Sequence, residues 1–448
     1  MKPFLKSVDP PHLLPGLQEK ICQRNALVGV VGLGYVGLPF AVEKGKVGFH
    51  VLGIEQNPRR ADQVNAGINY IGDVNDAELR DLVARGLLAA TGNFARVAEM
   101  DVIVICVPTP LTRNLAPDLS YVEDVARGIA KGLRPGQLIT LESTTYPGTT
   151  DEILKPILEE SSGLRAGVDF FLAYSPERVD PGNARYTTKN TNKVVGANDP
   201  LSLEAAKTFY GETIQTVETV SSASAAEMCK VFENTFRAVN IALVNELTVL
   251  CDRMGLDVWE VLDAANTKPF GIMPFFPGPG VGGHCIPLDP HYLEWKAKEY
   301  DFNTRFIALA GEINRSMPRF VREKAARILN EHGIALSRAQ VLLMGIAYKK
   351  DLDDWRESPA LQVMRLLEES GANVRFADPF VPRIELRGKS MEAVEASDAE
   401  LARADLVVIT TDHSCVDYAR VAKEAKLLFD TRGGTRHLDL DSSKVVRL

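Results

Sequence analysis

The stretch from Leu27 to Glu55 leaves this chain the least freedom. Leu27-Val28-Gly29-Val30-Val31 is a short apolar run of the kind a parallel sheet buries on both faces. It leads directly into Gly32-Leu33-Gly34-Tyr35-Val36-Gly37 and then a helical segment from Leu38 to about Gly45. A second apolar run, His50-Val51-Leu52-Gly53-Ile54, ends in Glu55, 18 residues past the third glycine. Strand, Gly-x-Gly-x-x-Gly, helix, strand and acid form the full context of a dinucleotide-binding βαβ unit. The glycines admit a pyrophosphate at the helix N-terminus, while the acid accepts ribose hydroxyls and repels a 2′-phosphate. Gly32, Gly34, Tyr35, Val36, Gly37 and Glu55 are therefore candidate cofactor residues, and the expected cofactor is NAD rather than NADP.

The α/β style continues. Strands are expected at Asp101–Val107 and Gln137–Glu142, trailed by Pro108-Thr109-Pro110 and Ser143-Thr144-Thr145. Another, Phe170–Tyr174, ends in Ser175-Pro176-Glu177-Arg178. In an open α/β sheet such carboxyl ends lie along the ligand crevice, which makes Glu177 a candidate for catalysis or binding. From Ser222 to Met254 the pattern is helical without Pro or Gly, long enough to bridge two domains. Lys230 and Asn234, four apart, share one face of it, and Phe232 and Phe236 share the apolar side.

Next comes a Gly/Pro-rich loop, Gly278-Pro279-Gly280-Val281-Gly282-Gly283-His284, which delivers Cys285. Asp289-Pro290 reads as an N-cap and first helical residue, so Cys285 sits just ahead of a helix N-terminus, where thiolate is favoured over thiol. A helix is expected from about Thr304 to His332, then a second α/β region. Its strands are Gln340–Ala347, Asn373–Ala377, Asp405–Thr410 and Leu427–Asp430, with a helix at Ala360–Glu369. It has no Gly-x-Gly-x-x-Gly turn, but Lys349, Arg356 and Arg432 fall at or near strand ends, which suits an anionic ligand other than a second NAD.

A chain of 448 residues is long enough for about three domains. The net charge of −8 argues against nucleic acid as a partner. The six cysteines (Cys22, Cys106, Cys229, Cys251, Cys285, Cys415) are scattered without a Cys-x-x-Cys pair, which fits a reducing cytoplasm better than disulfides or a zinc site. Met1 to Lys20 mixes charges with four prolines and is not expected to be a signal peptide, and no apolar run approaches a membrane span.

Together these motifs resemble the UDP-glucose/GDP-mannose dehydrogenase family from about Leu27 to the C-terminus. The resemblance rests on Gly-Leu-Gly-Tyr-Val-Gly (32–37), Val-Pro-Thr-Pro (107–110), Ser-Thr-Thr-Tyr-Pro-Gly-Thr-Thr (143–150), the Lys230/Asn234 helix, Gly-Gly-His-Cys (282–285) and Tyr-Lys-Lys-Asp (348–351). Tyr70-Ile71, Cys106–Thr112, Ser175–Gly182 and His284 resemble the bacterial UDP-N-acetylglucosamine 6-dehydrogenase branch. The UDP-glucose branch usually has Ser and Lys where this chain has His284 and Leu288. An acid of that branch, four past the Glu177 position, is replaced by Pro181, so no role is carried over for it.

The resemblance implies two Rossmann-like doubly wound domains joined by a central helical domain with a long bridging helix. The expected ranges are an extension at 1–26, an NAD domain at 27–220, a central dimer-forming domain at 221–325 and a UDP-sugar domain at 326–448. It implies Cys285 as nucleophile, Lys230 and Asn234 as oxyanion stabilisers, Glu177 as hydrolytic base, and Asp289 and Thr144 as holders of a water. Further cofactor contacts are implied for Arg60, Pro108, Thr109, Thr144 and Arg356. The sugar nucleotide is expected to meet Glu177, Arg178, Lys230, Asn234, Phe276, Gly278, Gly280, Gly282, Lys349 and, on a looser motif, Arg432. The implied activity is four-electron oxidation of a UDP-hexose at C6, UDP-N-acetylglucosamine first, by a cytoplasmic homodimer or higher homo-oligomer serving surface-polysaccharide synthesis. UDP-glucose, UDP-N-acetylgalactosamine and UDP-N-acetylmannosamine are alternatives. A two-electron hydroxyacid dehydrogenase and a silent nucleotide-binding regulator are the rival classes.

Overall fold

Leu27–Val31 (β1) becomes the strand around which the first sheet is laid, as its unbroken apolar run requires. The computed structural model describes residues 13–112, 114–178, 186–283, 285–386 and 388–448. Two compact units emerge, Met1–Glu233 with Trp295–Phe302, and Asn234–Glu294 with Asn303–Leu448.

In the first unit β1 is followed by His50–Ile54 (β2), Leu88–Thr91 (β3), Val102–Ile105 (β4), Leu138–Leu141 (β5), Phe171–Tyr174 (β6), Lys193–Gly196 (β7) and Val217–Val220 (β8). They order as β3-β2-β1-β4-β5-β6-β7-β8, parallel except where β6 meets β7. The strand order reverses between β1 and β4, so the crevice there opens at the carboxyl ends. Register aligns Val31 with both Ile54 and Ile105, and Ile105 with Leu141. The residues that follow, Gly32, Glu55, Cys106 and Glu142, consequently emerge at one level of the sheet edge. Apolar side chains from both faces close the core around Val28, Val30, Val104 and Phe209 on one side and Ile103, Ile139, Leu154 and Leu172 on the other.

The second unit repeats the plan on a smaller scale. Gln340–Met344 (β9), Asn373–Ala377 (β10), Leu406–Ile409 (β13), Leu428–Asp430 (β14) and Val445–Arg447 (β15) form a parallel sheet ordered β10-β9-β13-β14-β15. Arg383–Leu386 (β11) and Lys389–Glu392 (β12) make a separate antiparallel hairpin. The helix Arg305–Glu331 contributes Met317, Val321 and Ile328 to the core against β9 and β13. Connecting the two units is the helix Ala223–Met254, 32 residues long and within a residue of the expected span. Strands β3, β7, β8, β15 and the hairpin are short pieces that the sequence reading passes over.

Candidate active site

The three fingerprint glycines do three different things. Gly32 lies at φ +90°, a conformation side chains resist, and a Cβ there would meet the Cys106 carbonyl oxygen at 2.5 Å. At Gly37 a Cβ would run into the Gly32 carbonyl, so the helix Gly37–Lys46 packs hard on the turn. Gly34 has nothing within 4 Å of where its Cβ would be, which leaves its backbone open to a ligand. Val36 precedes the helix with no side-chain cap, so the first N–H groups are available to an anion. Glu55 is buried at the end of β2, accepting from the Leu33 N–H at 3.0 Å and the Asn57 N–H at 2.9 Å. Tyr70 donates to the Leu33 carbonyl at 2.8 Å, and Arg60 lies over the Tyr70 ring with its guanidinium carbon 5.5 Å from the centroid. Burial, reinforced by Glu55, pushes the Tyr70 hydroxyl up to about 12. The open Gly34 face, uncapped helix and terminal acid fit a dinucleotide with free ribose hydroxyls. Tyr35 is exposed beside them.

Along the same sheet edge the loops after β4 and β5 are stitched together. Ser143 accepts from the Val107 N–H at 3.0 Å and donates to its carbonyl at 2.7 Å, while Thr109 donates to the Thr144 carbonyl at 2.6 Å. Pro108 remains exposed on this loop. Past β6, Glu177 accepts the Arg178 N–H at 2.8 Å, and Lys230 Nζ donates to the Glu177 carbonyl at 2.5 Å. Lys230 is buried, not the surface lysine its residue type favours. Arg178 turns to Glu233, 2.6 Å away, and to the Asn192 carbonyl. The structure adds Lys193, buried at the start of β7, 3.1 Å from Glu142 and 3.6 Å from Glu177. Sequence reasoning misses it because nothing in Lys-Val-Val-Gly ties that lysine to a glutamate 51 residues away.

In the second unit Cys285 is exposed, and its carbonyl accepts from the Leu288 and Asp289 N–H groups at 3.0 and 2.8 Å. The helical turn thus opens at the cysteine itself. Asp289 is the first residue of the helix Asp289–Ala297 rather than its cap, a shift of one residue from the expected start. Its carboxylate accepts from Asn234 Nδ2 at 2.5 Å, and Arg237 donates to Asn234 Oδ1, so the Asn234 amide is fixed at both ends. The glycine loop is held by Asn245, which accepts from the Gly278 N–H at 3.2 Å and donates to Asn314 at 2.9 Å. A Cβ on Gly278 would strike the Arg432 guanidinium, and one on Gly280 or Gly282 would crowd Pro359. Phe276 stacks on Trp259 with ring centroids 6.1 Å apart, and Arg436 covers it at 4.8 Å. Arg432 pairs with Asp412 at 3.3 Å, Arg356 with Asp354 at 2.7 Å, and Lys349 is half-buried after β9. His284 and residues 179–185, Pro181 among them, lie outside the described residues.

Comparison with known proteins covers the whole plan. Three profiles match, described as the NAD-binding (residues 26–214), central (224–316) and UDP-binding (342–437) domains of the UDP-glucose/GDP-mannose dehydrogenase family. A UDP-N-acetyl-D-glucosamine 6-dehydrogenase of Pseudomonas aeruginosa is 39% identical over 359 residues, spanning 80% of this chain and 84% of its own. A UDP-N-acetyl-D-mannosamine dehydrogenase of Pyrococcus horikoshii is 36% identical over 413 residues, 90% of this chain and 95% of its own. The solved structure of a UDP-D-ManNAc dehydrogenase from Pyrococcus horikoshii superposes with a TM-score of 0.86 at 33% identity, covering 94% of this chain and 98% of that one.

Proposed function

The chain belongs to the UDP-glucose/GDP-mannose dehydrogenase family, and on that premise we propose that it oxidises C6 of a UDP-N-acetylhexosamine, UDP-N-acetylglucosamine first, to the acid. Cys285 is the single observation that carries this reading, because it is exposed and its carbonyl opens a helical turn. An alcohol becomes an acid by losing two hydrides, and NAD, when bound, accepts one hydride at a time. A chain with no nucleophile would release an aldehyde. Here the Cys285 thiolate adds to the aldehyde carbon, giving a thiohemiacetal that still carries a transferable hydrogen. Its oxidation leaves a thioester, and water, deprotonated by Glu177, releases the acid and returns the thiolate.

Lys230 and Asn234, one helical turn apart, supply a cation and an amide donor for the oxygen that gains charge. Asp289 and Arg237 fix that amide, which lowers the cost of aiming it. Thr144 and Asp289 hold the attacking water. Lys349, Arg432 and the Gly278–Gly282 loop take the UDP moiety, and Arg178, Arg356 and Phe276 complete the contacts. The first unit cradles NAD through Gly32, Gly34, Gly37 and Glu55. We place the chain in the cytoplasm as a homo-oligomer, with domain limits as expected from the sequence.

The 39% identity to the glucosamine enzyme supports this choice of sugar. A second reading, UDP-N-acetylmannosamine, is favoured by the longer match to the mannosamine enzyme, 413 residues against 359. The deciding experiment measures NADH released per mole of UDP-glucose, UDP-N-acetylglucosamine, UDP-N-acetylgalactosamine and UDP-N-acetylmannosamine. About two per sugar on an N-acetylated substrate supports the reading. About one would point to a two-electron dehydrogenase, and binding without turnover to a regulator.

A further inference from the structure

We propose that Lys193 is a positioning residue for the hydrolytic half-reaction, fixing Glu177 as a charged base from within the core of the first unit. This rests on the reading of Glu177 as that base. The Lys193 side chain is 5% exposed and Glu142 is 0% exposed, so both charges are withdrawn from water. A lysine there is retained at a cost unless its partners are well placed. Glu142 meets it at 3.1 Å and is itself held by the Tyr210 hydroxyl at 2.7 Å, with Thr140 Oγ1 3.0 Å from that hydroxyl. One lysine and one glutamate would balance as a structural pair. Instead a second carboxylate, Glu177, leans on the same ammonium at 3.6 Å. Among the described residues two carboxylates thus share one cation, and Glu177, 18% exposed, is the member nearer solvent.

Among the described residues, the charged groups around Glu177 come from several elements. Lys193 rises from β7 and Glu142 from the end of β5. Cys106 follows β4, and burial, with Glu142 next, pushes its thiol well up, so it stays neutral. The bridging helix brings Lys230 to the backbone carbonyl of Glu177 rather than to its carboxylate. Arg178 offers its N–H to the carboxylate while its guanidinium goes to Glu233. Tyr210 comes from the helix Pro200–Gly211. Burial opposes the charge on Lys193, yet Glu142 and Glu177 together raise its pKa. Burial likewise raises that of Glu142. Among the described residues, Lys193 is the cation within ion-pair distance of the Glu177 carboxylate.

In the step it serves, water attacks the carbonyl carbon of the Cys285 thioester and gives one proton to the Glu177 carboxylate. The C–S bond then breaks, its electron pair returns to Sγ as thiolate, and the uronic acid leaves.

The test follows thioester breakdown in single turnovers of the full-length protein, with NAD and UDP-N-acetylglucosamine or whichever of the four UDP-sugars the panel selects. Quenched samples are read by mass spectrometry of the Cys285 adduct across pH. Lys193→Met removes the cation, so the acid limb of breakdown should move to higher pH by about one unit or more. Glu142→Gln leaves the ammonium to Glu177 alone, so the limb should move to lower pH. A loosened core cannot move one limb in two directions. Glu142→Gln is nearly isosteric and decides alone if Lys193→Met does not fold: a limb that stays or rises overturns the proposal. Glu177→Gln separates the two ideas. If it hydrolyses normally, the base reading fails whatever Lys193 does; if it stalls while neither neighbouring variant moves the limb, only the role of Lys193 fails.

Discussion

Cys106 and Cys251 are buried, and burial raises the thiols of Cys106 and Cys229, whereas Cys285 is exposed on a turn its own carbonyl opens. That contrast sets its expected chemistry. In Cys285→Ser, oxidation should end in an ester whose alkoxide leaves far less readily than a thiolate. Steady-state turnover should be negligible, with slow release of about two NADH per active site and the sugar left on the serine. Cys285→Ala should trap nothing. Normal turnover by Cys285→Ser with no adduct in its mass spectrum would reduce the loop to packing. Glu55 carries a second expectation at this scale. It is the acid at the end of β2, so NAD should be used far better than NADP, and Glu55→Ser should narrow that gap. Its bond to the Leu33 N–H adds a cost to removal, because the fingerprint turn loses an acceptor as well as a charge. Equal kcat/KM for both cofactors in the unaltered protein would contradict the assignment.

At the scale of elements, the junction between the bridging helix and the loop 143–150 depends on Glu227. It is buried and accepts from the Gly148 N–H at 2.6 Å, the Thr150 N–H at 2.9 Å and the Thr150 hydroxyl at 2.7 Å. Burial nevertheless outweighs those donors and raises its carboxyl to about 7. A folded-state value above the unfolded one means that the fold prefers the proton. The contribution is most favourable below about 4.5, declines as pH rises, and is fully lost above about 7. Glu227→Gln does not titrate, so its stability relative to the unaltered chain should improve by on the order of 3 kcal/mol between pH 4.5 and 8. Urea unfolding at both pH values measures it, and a constant difference would refute it. Elements of this kind divide into those the sequence displays and those it hides. β1, β2, the fingerprint turn and the bridging helix are readable because each is marked by a local pattern along the chain: an apolar run, spaced glycines or a long helical stretch without Pro or Gly. Glu227 and Lys193 are not, because their partners lie 79 and 51 residues away and only the tertiary fold brings them together. The start of the Cys285 helix is missed by one residue because Asp289 spends its carboxylate on Asn234. The Asn245–Asn314 clamp on Gly278 joins separate helices and leaves no local pattern.

For the whole molecule, the bridging helix poses a question of partners. Lys230 and Asn234 occupy its buried side, yet Met228, Phe232, Phe236, Leu243, Leu250 and Met254 are all exposed, Phe232 at 62% and Leu243 at 64%. Their spacings of four, four, seven, seven and four residues put them on one stripe, roughly opposite the functional pair. The apolar side that Phe232 and Phe236 mark in the sequence is therefore a surface in the single chain rather than core. A continuous apolar stripe of this length is seldom left to solvent, and a second copy of the same chain is the occupant that matches the proposed homo-oligomer. In an isologous pair the same leucines recur on both sides, so one charge introduced per chain appears twice at the contact. Leu243→Glu and Leu250→Glu lie well along the helix from Lys230 and add no charge near it. Light scattering on the unaltered protein should give at least twice 49.1 kDa, and on the double variant a single chain with its helical content unchanged. If the unaltered protein already measures 49.1 kDa at micromolar concentration, the stripe faces something other than a second copy.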